Sequence, residues 1–410
     1  MLRSSVLVLA LALAALAAGA ADAAPTLERV VVVMRHGVRP PTQPNEALRK
    51  YSAEPWPDWP VQPGDLTPHG AQTVALMGRT IRATYVAHGL LPARGCSPPD
   101  AVSVWADGVD ERTQMTGIVL GAALEGGCPV PVGWRPGKPR DPIFNYASSE
   151  ACKVDPAHAW APSPPSPAEL ERLKLATARL QAIVAPHACD GGPGECFARA
   201  ADAGGLFPQS AGLAEDLLLE YAEGKPLREV GWGRASAADI DAIMAIHEAA
   251  FGRIRANTYA SARGGAAMTR VILAALDGRP IGGGPQTGPD LRLLGLAGHD
   301  TNLVLMASTF GLAWTLPGEP DSTAPSTALA FELWRDGGSR YVRAVVYYET
   351  LDQLRTLAPA LARAVPLRFA DCASGPMGSC PLETVRRRVL GLIPPECGLP
   401  PAGAPMPRRP

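Results

Sequence analysis

The chain has 410 residues with 38 basic and 39 acidic side chains, and its formal net charge at neutral pH is −1. This balance provides no extended basic surface, so we expect no binding to nucleic acid. Hydrophobic residues make up 47% of the chain, which is enough to bury a large core and excludes disorder over the whole length.

The first 24 residues have the pattern of a secretory signal peptide. Arg3 precedes a continuous apolar stretch at 6–16, and small residues suited to cleavage follow it. The stretch is shorter than the roughly 20 residues of a membrane-spanning helix, which disfavours the alternative of an uncleaved anchor. We therefore expect a periplasmic or secreted protein that has no contact with a membrane after the signal is removed.

Eight cysteines all lie downstream of this signal. An even number of cysteines in an exported protein indicates disulfide pairing, but spacing alone does not choose among the many ways in which eight can pair. The alternative of a zinc site would require closely spaced pairs such as Cys-x-x-Cys, which the sequence does not contain. The cysteines are Cys96, Cys128, Cys152, Cys189, Cys196, Cys372, Cys380 and Cys397.

Short apolar segments predict the strands of one sheet. Residues 27–34 contain an unbroken run of four valines, which is typical of a strand covered on both faces in a parallel sheet. Residues 101–105 and 291–296 predict two further buried strands. The segments 328–334 and 341–348 flank an Asp-Gly-Gly-Ser turn and predict an antiparallel hairpin.

Helices are predicted to cover this sheet. Thr67 and Pro68 have the pattern of a helix start, with threonine as the N-cap and proline at the first helical position, and the helix ends near residue 88. Residues 111–124 predict the helix that follows the second strand. The predicted fold class is therefore α/β, with a mixed, mostly parallel sheet covered by helices and an inserted all-α domain.

The insertion is predicted because helical periodicity dominates between residues 151 and 270 and strand signals are scarce there. Helices are expected at 168–185 and 213–222, and Ser236 to Asp239 resembles a capping box that opens a longer one. The predicted division is a signal peptide at 1–24, an α/β domain at 25–150 and 271–397, an α-helical insertion domain at 151–270, and a disordered tail at 398–410.

Charged residues follow the three buried strands where each strand ends. The motif RHGVRPP begins at Arg35 after the first strand, and GHDTN begins at Gly298 after the third. The motif DERT begins at Asp110 after the second strand, at a helix start, where anions are favoured. Because ligands bind at the carboxyl edge of parallel strands, these groups are predicted to form one site.

Three arginines, two histidines and an aspartate suit the hydrolysis of a phosphate ester. Guanidinium groups bind phosphate oxygens in pairs, a neutral imidazole can attack phosphorus, and a carboxylic acid can protonate the leaving oxygen. The residues predict an enzyme that forms a phosphohistidine and acts on a small-molecule phosphomonoester. Because arginines supply the positive charge, we expect no metal and no other cofactor.

These motifs resemble a known family. The motif RHGxRxP at 35–41, together with His299 and Asp300, is similar to the signature of the histidine acid phosphatases, the branch of the histidine phosphatase superfamily that includes phytases and glucose-1-phosphatase. Segments over nearly all of the mature chain look like the bacterial periplasmic phytases. They are WPDWP from Trp56, LTPHG from Leu66, DERT from Asp110, GWGR from Gly231, GHDTNL from Gly298 and WTLPG from Trp314.

The resemblance implies a role for each motif residue. His36 is the expected nucleophile through Nε2, with Nδ1 held by a backbone carbonyl, and Asp300 is the expected general acid. An acidic optimum follows, because Asp300 must be protonated to donate. The groups expected to hold the phosphate are Arg35, Arg39, Arg112 and His299. The groups expected to face the rest of the substrate are Thr42, Gln43, Glu215 and Arg263.

The cysteine order of the family implies four disulfides. They are Cys96 with Cys128, Cys152 with Cys397, Cys189 with Cys196, and Cys372 with Cys380.

Several functions remain open within and beyond this resemblance. Known phytases often have a lysine where this chain has Gln43, which removes one cationic contact to a polyphosphorylated substrate. Thr301 favours a phytase, since glucose-1-phosphatases usually have serine there. The alternatives are a glucose-1-phosphatase, a broad-specificity acid phosphatase, and a non-catalytic secreted phosphate-binding protein, in which His36 and Asp300 would have no purpose. We expect a phytase that acts as a monomer.

Overall fold

The structure is a computed structural model that describes residues 24–137, 140–145, 152–159, 165–199, 209–370, 372 and 375–397. The predicted signal peptide, apart from residue 24, and the predicted tail at 398–410 lie outside the described residues. The strands are β1 Thr26–Arg35, β2 Val102–Ala106, β3 Val132–Trp134, β4 Leu293–Gly298, β5 Ala328–Asp336, β6 Ser339–Tyr348, β7 Arg363–Leu367 and β8 Cys380–Pro381.

The helices lie mostly between the strands in chain order. They are α1 Asn45–Leu48, α2 Pro68–Ala87, α3 Glu111–Leu124, α4 Pro156–Ala159, α5 Pro167–Val184, α6 Ser210–Ala222, α7 Ala237–Ala256, α8 Thr258–Gly264, α9 Ala266–Asp277, α10 Asp300–Phe310, α11 Leu351–Thr356 and α12 Leu382–Leu392.

One sheet contains all the strands of the described residues, in the order β3-β2-β4-β1-β5-β6-β7 with β8 paired to β6. Strands β3, β2, β4 and β1 are parallel to one another, whereas β5 is antiparallel to β1 and to β6. In this part of the chain five of the eight strands run in the same direction. The predicted α/β class and mixed, mostly parallel sheet are confirmed.

Helices cover both faces of the sheet. The side chains of Val30 and Val32 pack with those of α2 and α3, whereas Val31 and Val33 pack with α9, α10 and α12. Successive residues of a strand point to opposite faces, which is why an unbroken run of valines occupies a strand buried on both sides. Thr67 caps α2 as expected, because its side chain accepts a hydrogen bond from the backbone amide of Gly70.

A separate hydrophobic cluster joins α5, α6 and α7. The described residues between β3 and β4 form helices and turns only, and Ser236 with Asp239 forms the expected capping box at the start of α7. The expected boundary at residue 270 falls inside α9, whose apolar face packs against the sheet. The division of the chain into two units stays a prediction.

All four disulfides that the resemblance implies are present. The pair Cys152 and Cys397 closes the longest loop, with a sequence separation of 245 residues. In the chain-entropy view, a loop of this length lowers the free energy of the folded relative to the unfolded chain by up to about 5 kcal/mol. Within the described residues, none of the helices combines the length and apolar character that crossing a membrane requires.

Candidate active site

The three predicted strand ends meet at one edge of the sheet. Strands β2, β4 and β1 are adjacent and parallel, and they end at Ala106, Gly298 and Arg35. The motifs that begin at Arg35, Gly298 and Asp110 therefore lie side by side, as expected from the carboxyl edge of a parallel sheet.

The backbone of His36 is held on both sides. Its amide donates to the carbonyl oxygen of Gly298 over 3.0 Å, and its carbonyl oxygen accepts from the amide of Ser326 over 3.0 Å. The next residue must be glycine, since a Cβ at Gly37 would lie 2.4 Å from the carbonyl oxygen of Gly70 at the start of α2. The turn after β1 is thus packed directly against a helix start.

The imidazole of His36 is buried and has a defined orientation. Its Nδ1 lies 2.8 Å from the carbonyl oxygen of Gly37. A carbonyl oxygen only accepts hydrogen bonds, so Nδ1 donates the proton and Nε2 keeps the free lone pair. Burial, followed by the charges of Arg112 and Arg39, lowers the pKa of His36 well below its ordinary value. These surroundings favour the neutral form of the ring, in which Nε2 keeps its lone pair.

Arg35 is a fully buried cation with several partners. Its guanidinium donates to Asp321 Oδ2 over 2.9 Å and to the carbonyl oxygen of Thr323 over 2.6 Å, and it forms an ion pair with Glu215. A further carboxylate oxygen, Asp300 Oδ2, lies 3.4 Å from Arg35 Nη2. Burial lowers the pKa of Arg35, but the surrounding carboxylates outweigh it and the net shift is upward.

Glu215 forms ion pairs with both arginines of the motif that follows β1. Both of its oxygens face arginines, since Oε1 pairs with Arg35 and Oε2 lies 3.2 Å from Arg39 Nη2. Burial raises the pKa of Glu215, but the charges of Arg39 and Arg35 outweigh burial and lower it to about 2. Both carboxylate oxygens thus position the two guanidinium groups, and a contact of Glu215 with the substrate stays a prediction.

Arg112 and His299 complete the basic part of the site. Arg112 donates to Asp110 Oδ2 over 3.1 Å, and burial together with the charge of Arg39 lowers its pKa. The His299 ring centroid lies 5.7 Å from that of His36, and His299 Nε2 donates to Asp107 Oδ2 over 2.9 Å. Because cations crowd here, a bound anion would relieve their mutual repulsion.

Asp300 is the first residue of α10. Its Oδ1 accepts from the amide of Thr301 over 2.6 Å, and its Oδ2 is the oxygen near Arg35. The carboxyl group is therefore fixed at the edge of the basic cluster that surrounds His36.

The four residues expected to contact the rest of the substrate separate into two sets. Thr42 and Gln43 line a cavity beside Arg39, as Glu215 also does. Arg263 instead forms an ion pair with Glu396 over 3.0 Å and lies over the ring of Tyr259.

The structure does not support Arg263 as a substrate contact. Its guanidinium also donates to the carbonyl oxygen of Lys153 over 3.4 Å, beside the disulfide of Cys152 and Cys397. Arg263 thus connects the backbone at Lys153 to Glu396, which lies near the end of the described residues.

Three carboxylates of the site had no role assigned to them from the sequence. Asp107 comes directly after β2 and Asp110 opens the motif DERT, so a search for acidic groups at strand ends would have found both. Asp321 lies in a loop before β5 and has no comparable signal. Its contact with Arg35 spans 286 positions of sequence.

Two groups among the described residues have the ligand types and spacing of a metal site, with ligand atoms within 4.8 Å of one another. Protein donors already satisfy carboxylates in both groups: Asp107 Oδ2 accepts from His299 and from Asn145 Nδ2 over 3.0 Å, and Asp321 accepts from Arg35. Neither carboxylate therefore needs a cation for compensation. The groups are Asp107, Asp110 and His299, and His247, Glu248 and Asp321.

Buried carboxyl groups predict that the protein is most stable in acid. Burial, as the largest cause, raises the pKa of Asp216 to about 7 and those of Glu220 and Glu349 to about 8. A raised carboxyl pKa stabilises the fold fully below the unfolded pKa, near 4, and this contribution is lost as pH rises through 7 to 8. We expect the free energy of unfolding to be at least about 3 kcal/mol lower at about pH 8 than at about pH 5, measured by urea denaturation.

The control for this prediction is Glu220→Gln, which should reduce the difference between the two pH values. Equal stability of the wild type at both pH values would contradict the raised pKa values.

Comparisons with known proteins agree with this geometry. The family model of the histidine phosphatase superfamily (branch 2) matches residues 26–162. Phytase AppA of Escherichia coli (strain K12) is 31% identical to this chain, and the similarity covers 91% of this chain and 93% of the relative. The chain belongs to the histidine phosphatase superfamily, branch 2.

Other family members match over nearly their full length. Hafnia alvei phytase in complex with tartrate is 33% identical to this chain and has a TM-score of 0.81. The match covers 93% of this chain and 100% of that structure. The same phytase in complex with myo-inositol hexakis sulphate has a TM-score of 0.80. Glucose-1-phosphatase of Salmonella typhimurium is 26% identical over 93% of this chain and 97% of the relative. The predicted enzyme class, a phosphomonoester hydrolase of the histidine acid phosphatase family, is confirmed.

Proposed function

We propose that this protein is an acid phosphatase that hydrolyses phytate through a phosphohistidine intermediate on His36. The orientation of His36 carries the proposal, because its Nδ1 is bonded to a carbonyl oxygen and its Nε2 lone pair is free beside buried arginines. A neutral imidazole among fixed cations suits attack on an anionic phosphate ester.

In the first step, His36 Nε2 attacks phosphorus while the bond from phosphorus to the ester oxygen breaks. Arg35, Arg39 and Arg112 carry the positive charge that stabilises the equatorial phosphate oxygens. Asp300 donates its proton to the leaving oxygen, and the alcohol departs. Because Asp300 must begin this step protonated, the reaction should be fastest in acid.

In the second step, water attacks the phosphohistidine. The Asp300 carboxylate accepts a proton from that water, the bond from nitrogen to phosphorus breaks, and inorganic phosphate leaves with His36 neutral again. His299 keeps its position throughout, since its Nε2 donates a hydrogen bond to buried Asp107. The same six side chains thus serve both steps.

Phytate is the preferred substrate in this proposal. Phytases of Escherichia coli and Hafnia alvei are 31% and 33% identical to this chain, and the similarity covers 93% and 100% of them. Thr301 after Asp300 supports the same assignment. The neutral Gln43 in the adjoining cavity makes us expect a weaker hold on phytate than in phytases with lysine there. Glucose-1-phosphate hydrolysis is the alternative.

The protein is proposed to act as a monomer outside the cytoplasm. Four disulfides support an oxidising compartment, because such bonds persist mainly in secreted and periplasmic proteins.

A substrate panel and a trapping experiment test the proposed function. The purified protein should release phosphate from phytate with a higher kcat/KM than from glucose-1-phosphate at acid pH. Acid quenching during turnover of a labelled ester should leave acid-labile label on the protein, as a phosphohistidine requires. Efficient turnover of glucose-1-phosphate with negligible turnover of phytate would support the alternative substrate instead.

Removal of divalent metals is expected to leave activity unchanged. Arginine side chains supply the positive charge that other phosphatases take from metal ions. The measurement is kcat/KM on a chromogenic phosphomonoester before and after dialysis against a chelator. Loss of activity that a divalent ion restores would contradict this prediction.

A further inference from the structure

A cavity of about 110 Å³ lies beside the phosphate site, between the segment after β1 and helix α6. Arg39 and Glu215 belong to both the site and the cavity, so a group attached to a bound phosphate ester can extend from one into the other. The remaining lining is mostly neutral. It consists of Thr42, Gln43, Leu48, Tyr51, Gln209, Gly212, Leu213 and Asp216.

The two carboxyl groups of the cavity differ in their partners. Glu215 is paired through both oxygens, with Arg35 and with Arg39. The side chain of Asp216, the next residue of the same helix, makes no hydrogen bond or ion pair in the part of the chain that the structure describes, although it is buried. Arg39 is the only cation in the described lining, and Glu215 already takes its charge.

We propose that Asp216 is a specificity-determining residue, which admits a second phosphate group to this cavity when its carboxyl is protonated and disfavours one when it is ionised. The inference rests on the proposed function, because it requires a phosphate ester held at Arg35, Arg39 and Arg112. It goes beyond that function in predicting that selectivity between polyphosphates and monophosphates changes with pH.

The electrostatic surroundings of Asp216 cause its carboxyl group to ionise near neutral pH. Burial, and then the charge of Glu215, raise the pKa of Asp216 to about 7, whereas Arg39 opposes the rise. The group that faces Asp216 from its own helix is Glu220, and the phenol of Tyr51 faces the cavity from the segment after α1. Helix α7 contributes His247, which acts on Glu215.

The two states of Asp216 treat a second phosphate in opposite ways. A protonated carboxyl donates a hydrogen bond to a phosphate oxygen or to a hydroxyl. An ionised carboxylate accepts only, and it repels a phosphate that lies in the same cavity with no free cation to compensate it. A monophosphate with neutral hydroxyl groups beyond the hydrolysed ester is tolerated in both states.

Binding measurements with Asp216→Asn test the proposal. His36→Ala provides a background without turnover, and calorimetry then measures the Kd of phytate and of glucose-1-phosphate at about pH 5 and about pH 8. At the higher pH, Asp216→Asn should tighten phytate binding by about tenfold and glucose-1-phosphate binding by less than about twofold. At the lower pH the two proteins should bind phytate within about twofold. Comparing variants at one pH cancels the ionisation of phytate itself.

The matched control is Glu220→Gln in the same background. Glu220 is also a buried carboxyl with a raised pKa on α6, but it accepts from the amide of Gly231 and lies outside the cavity lining. The Glu220→Gln substitution should leave every Kd within about twofold of the value for His36→Ala alone. An effect of Asp216→Asn that is equal at both pH values or for both ligands, or no phytate binding in either protein, would overturn the proposal.

The proposed function is tested separately in the same preparation series. Wild type must hydrolyse a chromogenic phosphomonoester at acid pH, whatever the binding data on Asp216 show. Absence of that activity in the wild type would contradict the proposed function. Normal wild-type activity, together with unchanged phytate selectivity in Asp216→Asn, would contradict only the role of Asp216.

Discussion

Replacing His36 by alanine is expected to reduce kcat by about 10³-fold or more while the protein stays folded. The side chain supplies the nucleophilic Nε2, and no other imidazole can take its place because His299 donates its own Nε2 proton to Asp107. The measurement is steady-state kinetics on a chromogenic ester, with the thermal unfolding midpoint as the test of folding. The acid-labile label found on the wild type should disappear.

The control for this variant is His158→Ala. His158 is exposed and contacts Asp155 through Nδ1, so its removal changes the histidine content without touching the site. Near-normal turnover of His36→Ala would show that the covalent step proposed for this residue does not occur.

Replacing Asp300 by asparagine is expected to slow substrates according to their leaving groups. The amide retains the size of the carboxyl but has no proton to donate, so the alkoxides of inositol and sugars must leave unprotonated. We expect kcat on phytate or glucose-1-phosphate to fall by about 10²-fold to 10⁴-fold. A nitrophenolate leaves readily without help, so its kcat should fall by about tenfold or less.

Asp321→Asn distinguishes proton donation from positioning. Both aspartates contact Arg35, but Asp321 is completely buried and binds Nη1, whereas Asp300 lies near Nη2. Its replacement should therefore lower kcat/KM for both types of substrate by the same factor. If Asp300→Asn also affected both types equally, Asp300 would have the role of a positioning residue and not of the acid.

Local sequence patterns determined the secondary structure around the site. The valine run of β1 predicts a strand buried on both faces, and Thr67 with Pro68 predicts the start of α2, because side-chain alternation and helix capping depend on neighbouring residues. The family resemblance implied that a backbone carbonyl holds Nδ1 of His36, and this carbonyl belongs to the next residue, Gly37.

The helix α9 shows the limit of such patterns. Its first residues lie inside the segment predicted as a helical insertion, and the periodicity of an apolar helix is the same whether it packs on other helices or on a sheet. The short strands β3, β7 and β8 were also missed, because they have three, five and two residues and depend on pairing with longer neighbours.

Only the tertiary structure decided which charges compensate one another. Glu215 and Asp321 reach Arg35 across 180 and 286 positions of sequence, and Arg263 reaches Glu396 across 133. Charges attract through space and not along the chain, and the strength of each pair depends on burial, which the whole fold produces. The sequence by itself therefore determined the family, and it predicts the nucleophile and the residues around the phosphate. The fold alone showed that Glu215 pairs with arginines and that Arg263 pairs with Glu396. It also showed that the Asp216 side chain is buried beside the site and makes no hydrogen bond or ion pair among the described residues.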